Sequence, residues 1–194
     1  MNFLKKTYNW TLEKAQHKNA KWYLSLISFA ESSFFPIPPD ILLIPMALAS
    51  KANALFYAFI CTLFSVLGGI LGYAIGYFFY NSVGFYIVEL YHLENSFNIF
   101  EDYYKEFGIL IVLGAGITPF PYKFITIASG VFGLNIFLFI IVSIIGRGLR
   151  FYLIAILLYF FGEKIKLIID KYFNILTIVF FILLVGSVFI IRFL

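Results

Sequence analysis

The run Glu31-Ser-Ser-Phe-Phe-Pro-Ile-Pro-Pro-Asp40, continuing to Pro45, decides how this chain is read. It lies inside strongly apolar sequence, yet it carries two carboxylates and four prolines. Proline lacks a backbone donor and clashes with the preceding turn, so Pro36, Pro38 and Pro39 must break a helix. A second version of the pattern is Gly116-Ile-Thr-Pro-Phe-Pro-Tyr-Lys123, continuing to Gly130, with its break at Pro119 and Pro121. At membrane depth, broken backbone survives only where it is buried in protein or lines a wet cavity. Charge at that depth marks a functional site by default. Two interrupted apolar segments at corresponding places in two halves point to a transporter-type binding site.

Composition supplies the membrane. The 194 residues are 62% hydrophobic and 12% charged, with mean hydropathy +0.96, outside the range of soluble globular domains. Cys61 is the lone cysteine, so no internal disulfide can form. The N-terminus reads as uncleaved, because no apolar run directly follows Lys5 and Lys6 and no small-residue cleavage site is evident. No lipidation motif, phosphate-cradling glycine loop, metal-ligand spacing or Ser-His-Asp or Cys-His arrangement appears. The expectation is therefore a non-enzyme without metal or cofactor. His17 and His92 read as isolated surface residues. The basic residues follow a topology rule rather than a nucleic-acid footprint.

Residues 1–21 alternate lysines with Phe3, Leu4, Tyr8, Trp10 and Leu12. They read as a basic cytoplasmic lead-in, lying on an anionic leaflet or simply solvated. The arms of 22–50 are each too short for a span of roughly 20 apolar residues, so a re-entrant hairpin is expected. A transmembrane helix follows at 54–80. In it Gly68, Gly72 and Gly76 give small-xxx-small pairs that admit another helix. Packing inside the chain is preferred there over a homo-oligomer contact, which stays open. Residues 81–107 form an acidic connection, with 97–107 an amphipathic surface helix. A second re-entrant hairpin covers 108–133 and exits at Gly130 and Gly133. Transmembrane helices at 135–161 and 172–191 complete the chain.

Counting Lys and Arg alone orients it. With the first hairpin entering from the cytoplasm, the lysine-rich N-terminus and the Lys164–Lys171 loop are inside and the 81–107 loop is outside. The expected fold is an all-α polytopic membrane protein, multi-pass in a bacterial inner membrane with its N-terminus cytoplasmic. It is an inverted repeat of two re-entrant hairpins, each followed by a transmembrane helix, plus a C-terminal transmembrane helix.

Five charges fall within the apolar segments: Glu31 and Asp40 flank the first break, Lys123 follows the second, and Arg147 and Arg150 lie three apart on one helix face. Arginine binds phosphate bidentately and stays ionised, so Lys123, Arg147 and Arg150 suit a phosphate-bearing head group. A desolvated Glu31 or Asp40 suits a transported proton. Structural alternatives stand beside each: the acids as mere partners of the arginines, the arginines snorkelling to an interface, and Lys123 as a hairpin-tip charge. Ser32, Ser33 and Thr118 read as local backbone partners at the breaks.

Together these features resemble the DedA family, also called the SNARE-associated or VTT-domain family, and its YqaA-like branch most closely. The resemblance rests on Glu31 through Asp40, on Gly68, Gly72, Tyr73 and Gly76, on Thr118 through Lys123 with Gly130, and on Gly146-Arg-Gly-Leu-Arg150, and it covers residues 22–162. It implies two re-entrant hairpins meeting in the membrane and a flippase- or scramblase-like movement of phospholipid or polyprenyl phosphate between leaflets, driven by protons or ions. The family's functional acids of the first hairpin match Glu31 and Asp40. Many members carry two arginines in the second hairpin, whereas here the arginines stand in the following helix. The expected partners are membrane lipids and protons. The alternatives are a proton-coupled transporter of a small soluble substrate or ion, and a non-transporting membrane scaffold.

Overall fold

The structure is a computed structural model, and it describes residues 19–34, 37–90, 92, 94–118, 120–162 and 164. Its regular elements there are helices: α1 (Ala20–Ser33), α2 (Asp40–Ala49), α3 (Ala54–Phe79), α4 (Phe85–Leu90), α5 (Glu94–Ile117), α6 (Tyr122–Val131) and α7 (Ile136–Gly162). A short 3-10 turn joins α2 to α3, and a π turn over Tyr80–Gly84 carries α3 on into α4. Two stretches, Lys51–Gly84 and Ile136–Gly162, are long and apolar enough to cross a membrane.

Local sequence explains the boundaries. α1 stops at Ser33, where the Phe34 N–H closes on Ala30, and α2 restarts behind Pro38 and Pro39, whose carbonyls accept from Ile41 and Leu42. α5 ends at Ile117, and α6 begins directly behind Pro121. Proline suits the start of a helix, where a missing N–H costs nothing, so it both ends one helix and opens the next. α6 closes on Gly133, whose φ of +64° is the left-handed conformation glycine adopts without penalty. Two residues later, the Asn135 side chain accepts from the Phe137 and Leu138 N–H groups and caps α7.

Three expectations need amending. The lead-in ends earlier than residue 21, because Ala20 and Lys21 already belong to α1; residues 1–18 lie outside the described residues, as does the 172–191 helix. The connection over 81–107 is mostly helical. The surface helix over 97–107 and the arm that follows it form one continuous α5, since nothing between Glu94 and Ile117 forces a break. At its polar end a Glu101–Lys105 pair, 2.8 Å apart one turn on, supports the helix, and the hydrogen bond to Glu101 raises the Lys105 pKa.

The core lies in two apolar clusters. One joins Leu24, Leu43, Met46, Ala58, Cys61, Phe151 and Ala155 from α1, α2, α3 and α7. The other joins Val112, Ala115, Tyr122, Phe139 and Val142 from α5, α6 and α7. Glycines bring the backbones together. A Cβ on Gly68 would overlap the Phe29 main-chain carbonyl, and one on Gly130 would overlap that of Tyr73. The outside is apolar: Phe56, Phe59, Leu63 and Phe78 on α3 and Phe137, Leu153 and Phe160 on α7 are all exposed. Arg147, by contrast, has no exposed surface. Charge within and large hydrophobics without reverse the usual arrangement of a protein in water.

Candidate functional site

The site forms where the two proline breaks meet α3 and α7. α1 is held against α3 by its serines. Ser28 Oγ donates to the Cys61 carbonyl at 2.7 Å, and Ser33 Oγ lies within reach of the Phe29 and Gly68 carbonyls at 2.7 and 2.9 Å. This fixes the last turn of α1 and aims Glu31 inward. Arg147 Nη2 donates to Glu31 Oε2 at 2.5 Å, and Arg147 Nε donates to Ser65 Oγ at 2.6 Å. Ser32 Oγ donates to Glu31 Oε2 at 3.0 Å and lies 2.7 Å from Ser65 Oγ. Each hydroxyl has one proton, so with Ser32 donating to Glu31 it is Ser65 that donates to Ser32. Glu31, Ser32, Ser65 and Arg147 thus close a hydrogen-bonded ring.

The Arg147 guanidinium also lies between two aromatic rings, 4.9 Å from Tyr122 and 4.7 Å from Phe151. Tyr122 belongs to one apolar cluster and Phe151 to the other, so the arginine sits at their junction. Cation–π attraction strengthens in such a dry place. The Tyr122 hydroxyl is itself tied to Ser143 Oγ at 2.6 Å.

A second ion pair lies one helical turn along α7. Arg150 Nη2 donates to Asp40 Oδ2 in the first turn of α2, and Arg150 Nη1 donates to the Thr118 carbonyl at 2.7 Å. One guanidinium therefore spans both breaks. This pair is less enclosed: the Arg150 and Asp40 side chains are 12% and 20% exposed, against 0% and 11% for Arg147 and Glu31. Asp40 Oδ1 and Arg147 Nη1 are buried atoms without a hydrogen-bond partner among the described residues. A third tie crosses from α6, where Thr126 Oγ1 lies 3.0 Å from the Ser32 carbonyl and 2.9 Å from that of Lys123. Gly72 leaves the space that this threonine occupies.

Four of the five predicted charges are therefore brought together. Lys123 is not among them. Its Nζ lies 5.4 Å from the Phe124 ring, and it makes no ion pair among the described residues. Arg147 and Arg150 do not snorkel outward, since both point to acids across the bundle. Pro38, Pro39 and Pro121 bound the breaks, while Pro36 and Pro119 lie outside the described residues. Gly68, Gly72 and Gly76 face α1 and α6 of the same chain. Ser33 has the local backbone partner expected of it, but Ser32 joins the charged ring and Thr118 offers only its carbonyl to Arg150. Ser65, Tyr122, Thr126 and Phe151 are the residues sequence reasoning missed. A hydroxyl inside the apolar run of α3 was the available signal for Ser65. Among the described residues no group of three His, Cys, Asp or Glu side chains gathers to hold a metal.

No protein-family model matches the chain, and no solved structure matches it. It is 39% identical over 157 residues to an uncharacterized protein of Haemophilus influenzae, with 81% of each chain covered. It is 35% identical over 157 residues to an uncharacterized protein of Histophilus somni, with 81% of this chain and 82% of that protein covered. The chain belongs to the family of these two bacterial proteins. Neither relative's name states an activity, so the functional reading rests on the chemistry of the site.

Proposed function

We propose that this protein is a multi-pass bacterial inner-membrane transporter of the DedA type that moves a lipid or lipid-linked phosphate between leaflets, coupled to protons. The observation that carries the reading is Arg150, which holds Asp40 at the first break and the Thr118 carbonyl at the second. Broken backbone buried within an apolar outer surface is what a bilayer tolerates, and charge held there marks a functional site. Glu31 and Asp40 serve as proton acceptors, and the two arginines of α7 supply the positive charge that a head group meets, while Lys123 stands apart against Phe124.

The spacing of the helices supports two re-entrant hairpins in an inverted repeat. α2 and α6 are both 10 residues long and begin at Asp40 and Tyr122; α3 and α7 begin at Ala54 and Ile136. Both pairs are offset by 82 residues, the interval that also separates Ser65 from Arg147. Ser65 and Arg147 touch each other, as equivalent positions do beside a pseudo-two-fold axis. In this reading the 81–107 connection faces outside, the N-terminus is cytoplasmic, and the 172–191 helix adds a last crossing.

A second reading is favoured by one observation: both acids are already paired, and Arg147 is fully enclosed. Charges that stay paired and dry would make the protein a non-transporting scaffold. A proton-coupled carrier of a small soluble substrate would use the same charges in a wetter cavity. The test is leaflet exchange of labelled phospholipid and polyprenyl phosphate in proteoliposomes, comparing wild type with Glu31→Gln and Arg147→Ala. Exchange in wild type that both folded variants lose supports lipid transport. Folded wild type that exchanges neither lipid sinks it and leaves the scaffold or the soluble-substrate carrier.

A further inference from the structure

The two arginines of α7 are placed for different work. Arg147 is enclosed on every side: Nε is taken by Ser65, Nη2 by Glu31, and its faces by the Tyr122 and Phe151 rings. A head group could reach it only after the apolar clusters part. Arg150 is partly open, with the Phe151 ring beside it at 5.8 Å. Its Nη1 and Nη2 are the two nitrogens that a phosphate would engage side by side. Both are occupied now by single contacts, one a carboxylate oxygen from α2 and one a main-chain carbonyl from the second break.

We propose that Arg150, rather than Arg147, is the phosphate-recognising arginine, and that Asp40 and the Thr118 carbonyl are stand-ins which a phosphate monoester must displace. The inference rests on the lipid-phosphate reading and adds to it which residue selects the substrate and what competes for it. Displacement is matched atom for atom: two phosphate oxygens replace one carboxylate oxygen and one carbonyl oxygen on the same two nitrogens. Its mechanical consequence is that binding removes one tie between the two breaks and leaves the Thr126 hydroxyl at the Ser32 carbonyl as another. Asp40 suits the role of a removable stand-in. Among the described residues it bonds through Oδ2 and leaves Oδ1 buried without a partner, so its pairing there is incomplete. Glu31, by contrast, is held by Ser32 as well as by Arg147.

Competition gives a prediction of opposite sign to a purely structural role. Removing the competing charge with Asp40→Asn frees Arg150, so phosphate binding tightens, by about tenfold for one lost competing pair. Arg150→Lys loses the two-pronged geometry and weakens binding by a similar factor. The experiment measures binding of dioctanoyl phosphatidic acid and of inorganic phosphate to the full chain in phosphatidylcholine nanodiscs, one lipid composition for all variants. Tighter binding in Asp40→Asn and weaker binding in Arg150→Lys are expected. If Arg150→Lys does not fold, the Asp40→Asn result decides alone. Unchanged or weaker binding in Asp40→Asn, or no binding in either it or wild type, overturns the assignment. Equal affinity for both probes would identify the source as free phosphate, leaving Arg150 as the recognising residue. Leaflet exchange that proceeds while binding ignores both substitutions would sink this inference alone. Binding that follows them without any leaflet exchange would sink the transport reading alone.

Discussion

Replacing Glu31 with alanine would strand the Arg147 guanidinium in a place without water. In the native ring the two charges meet at 2.5 Å with Arg147 fully buried. Charge centres about 4 Å apart at an effective dielectric constant of about 20 attract by about 4 kcal/mol. Removing one member of a buried pair costs about 3–5 kcal/mol, which agrees with that figure. The two flanking rings and Ser65 remain, and they offset a small part of the loss. At roughly 2–4 °C per kcal/mol for a chain of this size, the melting midpoint in detergent should fall by about 10 °C. Cys61 provides the assay, since it is buried and the chain's lone cysteine, and a thiol-reactive dye lights up as it becomes exposed. The double change Glu31→Leu, Arg147→Met should recover most of the loss, because a buried ion pair is often no better than well-packed apolar groups of similar volume. Two results would refute the reasoning. One is a midpoint for Glu31→Ala within about 2 °C of wild type, a shift worth under ~1 kcal/mol. The other is a double variant no more stable than the single one.

Other substitutions test the packing that positions this ring, read with the same dye. Gly68→Ala drives a methyl into the Phe29 main-chain carbonyl and should cost about 1–3 kcal/mol, whereas Gly114→Ala meets nothing within 4 Å and should gain up to about 1 kcal/mol of helix propensity; equal midpoints for the two would show that α1 and α3 do not pack this closely. Thr126→Val removes the hydroxyl that ties α6 to the Ser32 carbonyl and should cost about 1 kcal/mol, while Thr126→Ser keeps it; indistinguishable valine and serine variants would dismiss the tie.

Much of the scaffold was legible because it depends on local chemistry. Pro38, Pro39 and Pro121 stand at helix boundaries, so the breaks stand where the sequence places them, whereas Pro45 is carried inside α2. Long apolar runs set the two long helices: 54–80 was expected against Ala54–Phe79, and 135–161 against Ile136–Gly162. The α5 boundary was missed because a change from polar to apolar composition is not a helix stop. Glu and Lys form helices as readily on a wet face as Leu does on a dry one.

The charges were likewise visible as charges in an apolar context, and that context alone made Glu31, Asp40, Arg147 and Arg150 candidates. What sequence could not give was who meets whom. Glu31 and Arg147 are 116 residues apart, and Asp40 and Arg150 are 110 apart. Lys123 looked as suitable as either arginine and yet lies against Phe124, because its position around α6 decides which way the side chain faces. Composition and proline chemistry determined the environment and the breaks, since those act within a few residues. Tertiary structure decided the pairings, the enclosure of Arg147 and the openness of Arg150, because desolvation and charge pairing depend on atoms that only folding brings near.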